Sequence, residues 1–191
     1  MHILVLLLAA HFVADYPLQT DWVYLQKIRS YLGGSWHAAI TFLTHLFFLL
    51  PYVADIRVIA AVAISVLLHQ FQDNFKIIIC ERPRRHVILG YILDQALHIT
   101  MAGVLALLFT SLTPSLTADQ TLTFFWHRPL WAGLIAIMVV ASFMVEITLF
   151  VVARAKNPQS MLQRNYRNML VRGVAAGVLY SAVILAWQTW M

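Results

Sequence analysis

Apolar residues run along the chain in six long stretches, at roughly 2–19, 36–54, 57–80, 87–111, 129–153 and 168–190. A helix needs about 20 residues to cross the hydrocarbon core of a bilayer, so the pattern predicts six transmembrane helices. Between the first two stretches, "LQTDWVYLQKIRSYL" keeps apolar residues at helical spacing but adds Trp22, Tyr24, Lys27 and Arg29. That mixture predicts a short amphipathic helix lying in the membrane interface. Pro17 ends the first helix, because its ring removes a backbone donor and clashes with the preceding turn. "GGS" at 33–35 breaks the amphipathic helix, and Ser35 is placed to cap the next one.

Composition agrees with the pattern. Of 191 residues, 61% are hydrophobic and 11% charged, and mean hydropathy is +0.77. A water-soluble domain of this length has too much surface to hide so much apolar material. We therefore expect an all-α integral membrane protein, one membrane domain over residues 1–191. Residues 1–111 form a four-helix half and residues 129–191 a two-helix scaffold half. The single cysteine, Cys80, excludes an intrachain disulfide.

The formal charge of +5 raises the question of nucleic acid. The basic residues sit in short connections between apolar stretches, which membrane topology explains without it. Lys27 and Arg29 follow the first stretch. Lys76, Arg82, Arg84 and Arg85 follow the third, and Arg154, Lys156, Arg164, Arg167 and Arg172 the fifth. The two other connections carry only Arg57 and Arg128. This bias predicts that the basic connections face the cytoplasm and that both termini lie outside. Arg82, Arg84 and Arg85 are then candidates for contact with anionic lipid headgroups.

Against this background the polar residues inside the stretches stand out. The first carries His11 and Asp15, with Gln19 at its bend. The second carries His37, Thr41 and His45. The third carries His69 and Asp73, then Lys76, and the fourth Asp94, Gln95 and His98. A spacing of four puts each pair on one helix face, with Cβ atoms about 5–6 Å apart. A charged group at the bilayer centre costs about 3 kcal/mol even on the lenient insertion scale, so these faces are expected to turn inward. Counted from the basic connections, all four sets lie at similar depth in the cytoplasmic half, and so does Glu146 in the fifth stretch.

Such a layer has three readings. It can hold a bundle together by hydrogen bonds, with Asp73 and Lys76 neutralising each other three residues apart. Proton or cation transport is the second, through chains of Asp, Glu and His in a small-solute carrier or a subunit of one. The third is a metal site, since imidazole and carboxylate suit divalent zinc, iron or manganese, and bundles build such sites from facing helices. The candidate ligands are His11, Asp15, His37, His45, His69, Asp73, Asp94 and His98. Gln19, Thr41, Lys76, Gln95 and Glu146 would orient ligands or substrate.

The quoted elements also carry a resemblance. "HFVADYPLQ", "WHAAITFLTH", "HQFQDNFK" and "DQALH" are similar to an uncharacterised bacterial family of small multi-pass membrane proteins. That family has an N-terminal H-x3-D-x3-Q element and a later DQ-x2-H element, and the resemblance covers about residues 4–110. It implies a bacterial cytoplasmic membrane and groups these positions as a set, but brings no reaction with it. The pattern is loosely similar to membrane-bound metal-dependent hydrolases as well.

The expectation that follows is a membrane enzyme hydrolysing a lipid or amphiphile with a metal-activated water, with Asp15, Asp73 or Asp94 as ligand or base. A proton- or cation-coupled carrier and a structural subunit of a membrane complex are the alternatives. In the metal reading, His11, His69 and His98 should meet at a common centre.

Overall fold

Pro17 sets the first boundary. The computed structural model describes residues 2–30, 32–81, 86–112, 129–157 and 165–190. Helix α1 (His2–Asp15) ends two residues before the proline, and the chain turns through 16–19. The Thr20 hydroxyl accepts from the Val23 amide and starts α2 (Asp21–Arg29), satisfying a donor that the helix leaves open. Val23 and Lys27 are the buried residues of α2, while Trp22 and Leu25 are exposed.

Helix α3 (Gly34–Phe48) starts close behind α2. A Cβ at Gly33 would collide with the Gln26 carbonyl, so the approach needs glycine. Gly33 is itself the cap, with no side-chain bond, and the cap expected from Ser35 does not form because the helix has already begun.

A 3₁₀ turn (Leu50–Tyr52) containing Pro51 follows. The Asp55 carboxylate then accepts from the Arg57 amide and opens α4 (Ile56–Lys76), which runs on into a π-helical turn, Ile77–Glu81. Helix α5 covers Val87–Leu112. Helices α6 (Pro129–Val139) and α7 (Val145–Lys156) are joined without a break by a π turn, Val140–Met144. Helix α8 covers Tyr166–Trp190. No strand occurs among the described residues.

Among the described residues, four helical segments are long and apolar enough to cross a membrane: Ile56–Ile79, Val87–Ser111, Leu130–Lys156 and Tyr166–Gln188. Six were expected. Helices α1 and α3 have 14 and 15 residues, short of the usual crossing length. Hydropathy continues past both ends, but the backbone turns at Pro17 and ahead of Pro51, so each apolar stretch yields a shorter helix.

Helix α1 is the more enclosed of the two. Leu6, Leu7, Ala9, Ala10 and Ala14 of α1 are fully enclosed. This helix is the centre, packed against α3, α5 and α6. At its N-terminal end it meets a continuous apolar core that includes Phe48, Leu49, Val58, Val62, Leu105 and Phe109. Exposed apolar residues line the longer helices, such as Leu67, Phe71, Leu107 and Leu179, and one face of α3, at Leu43 and Phe47. An exterior of this kind fits a lipid environment. Helix α8 closes on α6 and the π turn through Gly173 and Gly177, which face Ser142 and Met138. Small residues permit such close approach of backbones.

Candidate metal centre

The polar cluster occupies the other end of α1. Asp15 is the last residue of that helix, His37 lies in the first turn of α3, and Asp73 lies one turn before the end of α4. His69 lies one turn before Asp73 on α4, and Asp94 and His98 lie one turn apart on α5. All but Asp15 are buried, and Asp15 shows 8% of its side chain to solvent.

Three atoms form its tightest part. His37 Nε2 and His69 Nε2 lie 3.1 Å apart, and Asp15 Oδ1 lies 3.3 Å from the first and 3.5 Å from the second. A tetrahedral zinc site with bonds of about 2.0–2.1 Å has ligands about 3.3 Å apart. The triangle therefore has the dimensions of one face of such a tetrahedron, with the fourth position left to something else. Asp73 Oδ2 also approaches these imidazoles, at 3.3 Å from His69 Nε2 and 3.6 Å from His37 Nε2.

Beside the triangle the rings of His69 and His98 stack, with centroids 4.2 Å apart and planes 20° off parallel. His11 packs 5.0 Å from His98, centroid to centroid. Ligand atoms of His11, His69 and His98 lie within 4.8 Å of one another, and so do those of Asp73, Asp94 and His98. The three histidines do converge.

The carboxylates are held by cations and amides. Lys27 Nζ lies 2.5 Å from Asp73 Oδ2, so α2 closes the cluster with a buried ammonium. Lys76 Nζ donates to Asp94 Oδ2 at 2.8 Å, and Gln95 Nε2 donates to the same oxygen at 3.1 Å. The Tyr16 hydroxyl donates to Gln95 Oε1 at 3.0 Å and lies 3.4 Å from the Tyr91 hydroxyl, which in turn pairs with Thr148 on α7. Asp73 and Lys76 do not neutralise each other, as local spacing had implied. The long lysine chain crosses to α5, and α2 supplies the partner of Asp73.

Several buried atoms remain without a hydrogen-bond partner: His11 Nε2, Asp94 Oδ1, and both ring nitrogens of His98. Leaving a buried polar atom unmatched costs about 1–3 kcal/mol, and so many in one place ask for an ion or a water. A cavity of about 10 Å³, the room one water needs, opens among His11, His45, His69 and His98.

With the geometry in hand, the family can be stated. A family model described as a protein of unknown function, DUF3307, matches residues 3–128. The chain belongs to this family. The match bears out the resemblance to an uncharacterised family, and every residue of the cluster lies inside the matched region. No curated protein and no solved structure matches the chain.

Other expected site residues fall elsewhere. His45 binds the Thr41 carbonyl through Nδ1 at 2.8 Å, and the Thr41 hydroxyl binds the His37 carbonyl. Both line the cavity, but neither belongs to a ligand group. Gln19 is half-buried in the turn after α1 and belongs to no ligand group among the described residues. Glu146 pairs instead with Arg172 of α8. Helix α7 turns it to that partner, and it joins no ligand group among the described residues. Arg82, Arg84 and Arg85 lie outside the described residues.

Lys27, Tyr16 and Tyr91 were missed. Lys27 sits four residues after Val23, on the inward face of α2, and a lysine on an apolar stripe is the signal that was available. Tyr91, three residues before Asp94, was on the right face by the same rule.

Proposed function

We propose that the cluster is the divalent-metal centre of a membrane-embedded hydrolase acting on a lipid or amphiphile. The triangle of His37 Nε2, His69 Nε2 and Asp15 Oδ1 carries this reading. Two imidazole nitrogens and a carboxylate oxygen 3.1 to 3.5 Å from one another match the three protein ligands of a catalytic site.

His37, His69 and Asp15 would hold zinc, iron or manganese. Such an ion acts as a Lewis acid on a carbonyl or phosphoryl oxygen and makes water more acidic. Asp73, beside His69 and fixed by Lys27, is a further carboxylate of the centre, placed to serve as ligand or base. Tyr16, Gln95 and Lys76 hold Asp94 in place. Lys76 shows 23% of its side chain to solvent, so it is the group to meet a polar head arriving from the interface.

In this reading α1 and α3 are short membrane-embedded spans that complete six. The basic connections face the cytoplasm of a bacterial cell, both termini lie outside, and Arg82, Arg84 and Arg85 meet anionic headgroups.

Packing alone accounts for the two lysine–aspartate pairs, but leaves Asp94 Oδ1 and His98 unmatched. A carrier needs a route to both faces, whereas past His45 the interior closes over Leu6, Leu49, Val62 and Phe109, all buried to within 1%. Elemental analysis of protein purified without chelator is the test. About one transition-metal ion per chain is expected. Well-folded protein that holds none, and takes up none when offered zinc, iron and manganese, overturns the reading. Solute uptake into proteoliposomes that Asp15→Asn abolishes would put the carrier in its place.

A further inference from the structure

The triangle uses only one oxygen of Asp15. The other, Oδ2, turns toward α5 and lies 4.0 Å from His98 Nδ1. That nitrogen lies 3.9 Å from Asp94 Oδ1, and neither of these two atoms has a hydrogen-bond partner. Lys76 and Gln95 both bind the opposite oxygen, Asp94 Oδ2, so Oδ1 is left aimed at His98. The His98 side chain is fully buried and that of Asp94 is 4% exposed. Asp73 completes a group of three whose ligand atoms lie within 4.8 Å. His98 Nδ1 and Asp94 Oδ1 are not among the three atoms of the triangle, and Asp15 Oδ2 is the carboxylate oxygen that the triangle leaves over.

We propose that this is a second divalent-metal site, held by His98 Nδ1, Asp94 Oδ1 and Asp73, with Asp15 bridging the two ions through its two oxygens. The inference rests on the first site being a metal site and extends it to a binuclear centre. Facing helices of a bundle supply such pairs, in which carboxylates bridge and histidines terminate. The spacings of 3.9 and 4.0 Å are wider than those of the triangle. A shift of about half an ångström brings them to metal-ligand spacing.

Charge sets the order of filling. Asp15, Asp73 and Asp94 face Lys27 and Lys76, which leaves one negative charge in excess. One divalent ion turns that excess positive, and a second makes it more so. The second ion therefore binds more weakly, and an oxyanion that spans both ions strengthens it. This points to a substrate with a phosphate-like group.

Manganese titration of the full chain in detergent, after chelation, tests the proposal. Bound metal is measured by equilibrium dialysis and magnetic coupling by electron paramagnetic resonance. Two ions per chain are expected, the second at least tenfold weaker and tightened by inorganic phosphate. At saturation the paired ions give a coupled spectrum. His98→Gln and Asp94→Asn each reduce the count to one and restore an uncoupled signal. A single ion in the wild type, untouched by either substitution, overturns the second site and leaves the first standing. No ion at all removes both. Should His98→Gln fail to fold, Asp94→Asn alone decides, since it keeps the volume of the side chain.

Discussion

In the α6–α8 half, Glu146 and Arg172 answer each other and need nothing else. Arg172 donates to Glu146 Oε2 at 2.5 Å and to the carbonyls of Ala141 and Ser142 in the π turn, at 3.2 and 3.3 Å. The other carboxylate oxygen accepts from the Asn165 amide at 3.3 Å. In the α1–α5 half, three carboxylates, two lysines and four histidines crowd together and still leave His11 Nε2, Asp94 Oδ1 and His98 unmatched. The first arrangement is a latch between helices, complete as built. The second is an incomplete shell. The family match over residues 3–128 covers the shell and not the latch. A charged group in an apolar bundle does not by itself mark a site; charged groups left unsatisfied do.

The sharpest way to break this comparison is His37→Ala. It removes one corner of the triangle, and metal affinity should fall by more than about 100-fold, beyond what loss of an outer partner does. The measurement is competition with a chelator of known affinity. Retained metal at wild-type affinity would make the His37–His69–Asp15 triangle a packing feature like the latch.

Lys27→Met comes next. It leaves Asp73 buried without its ammonium, and both side chains are under a tenth exposed. Breaking a buried pair costs about 3–5 kcal/mol, so the metal-free protein should unfold at distinctly lower temperature. Added zinc or manganese should recover much of the loss, because a cation then faces the freed carboxylate. A loss that metal does not touch would mean that Lys27 and Asp73 form a second latch.

How the two halves read from the sequence differs for a physical reason. Spacing of four on an apolar helix fixes a face, and distance from the basic connections fixes a depth. From those two facts His11, Asp15, His69, Asp73, Asp94 and His98 were legible as one layer. Depth says nothing of where a helix sits around the bundle. Glu146 therefore looked like a member of the layer and belongs to the latch. Lys27 was read as an interfacial charge because Trp22 and Arg29 flank it. Its burial depends on α2 folding back at Gly33 to meet a helix more than forty residues on. Helix lengths were overread for a simpler reason: apolar residues continue through the turns at Pro17 and Pro51, where the backbone does not.

The latch supplies the smallest effect and the control for the rest. Arg172→Leu strips Glu146 of its guanidinium and the π-turn carbonyls of their donors. Because Arg172 is 31% and Glu146 14% exposed, the loss should be about 1–2 kcal/mol, below that of a fully buried pair. Replacing both with leucine should recover most of it, since no charge is then left unpaired in an apolar setting. Thermal unfolding of the single and double variants measures this directly. Metal content in the same samples should stay at the wild-type value. A change in metal binding on Arg172→Leu would mean that the two halves are coupled, with the hydrogen bond between Tyr91 and Thr148 linking the tyrosines around Asp94 to α7. Unchanged metal with full recovery in the double variant would establish that one half locks helices and the other holds ions.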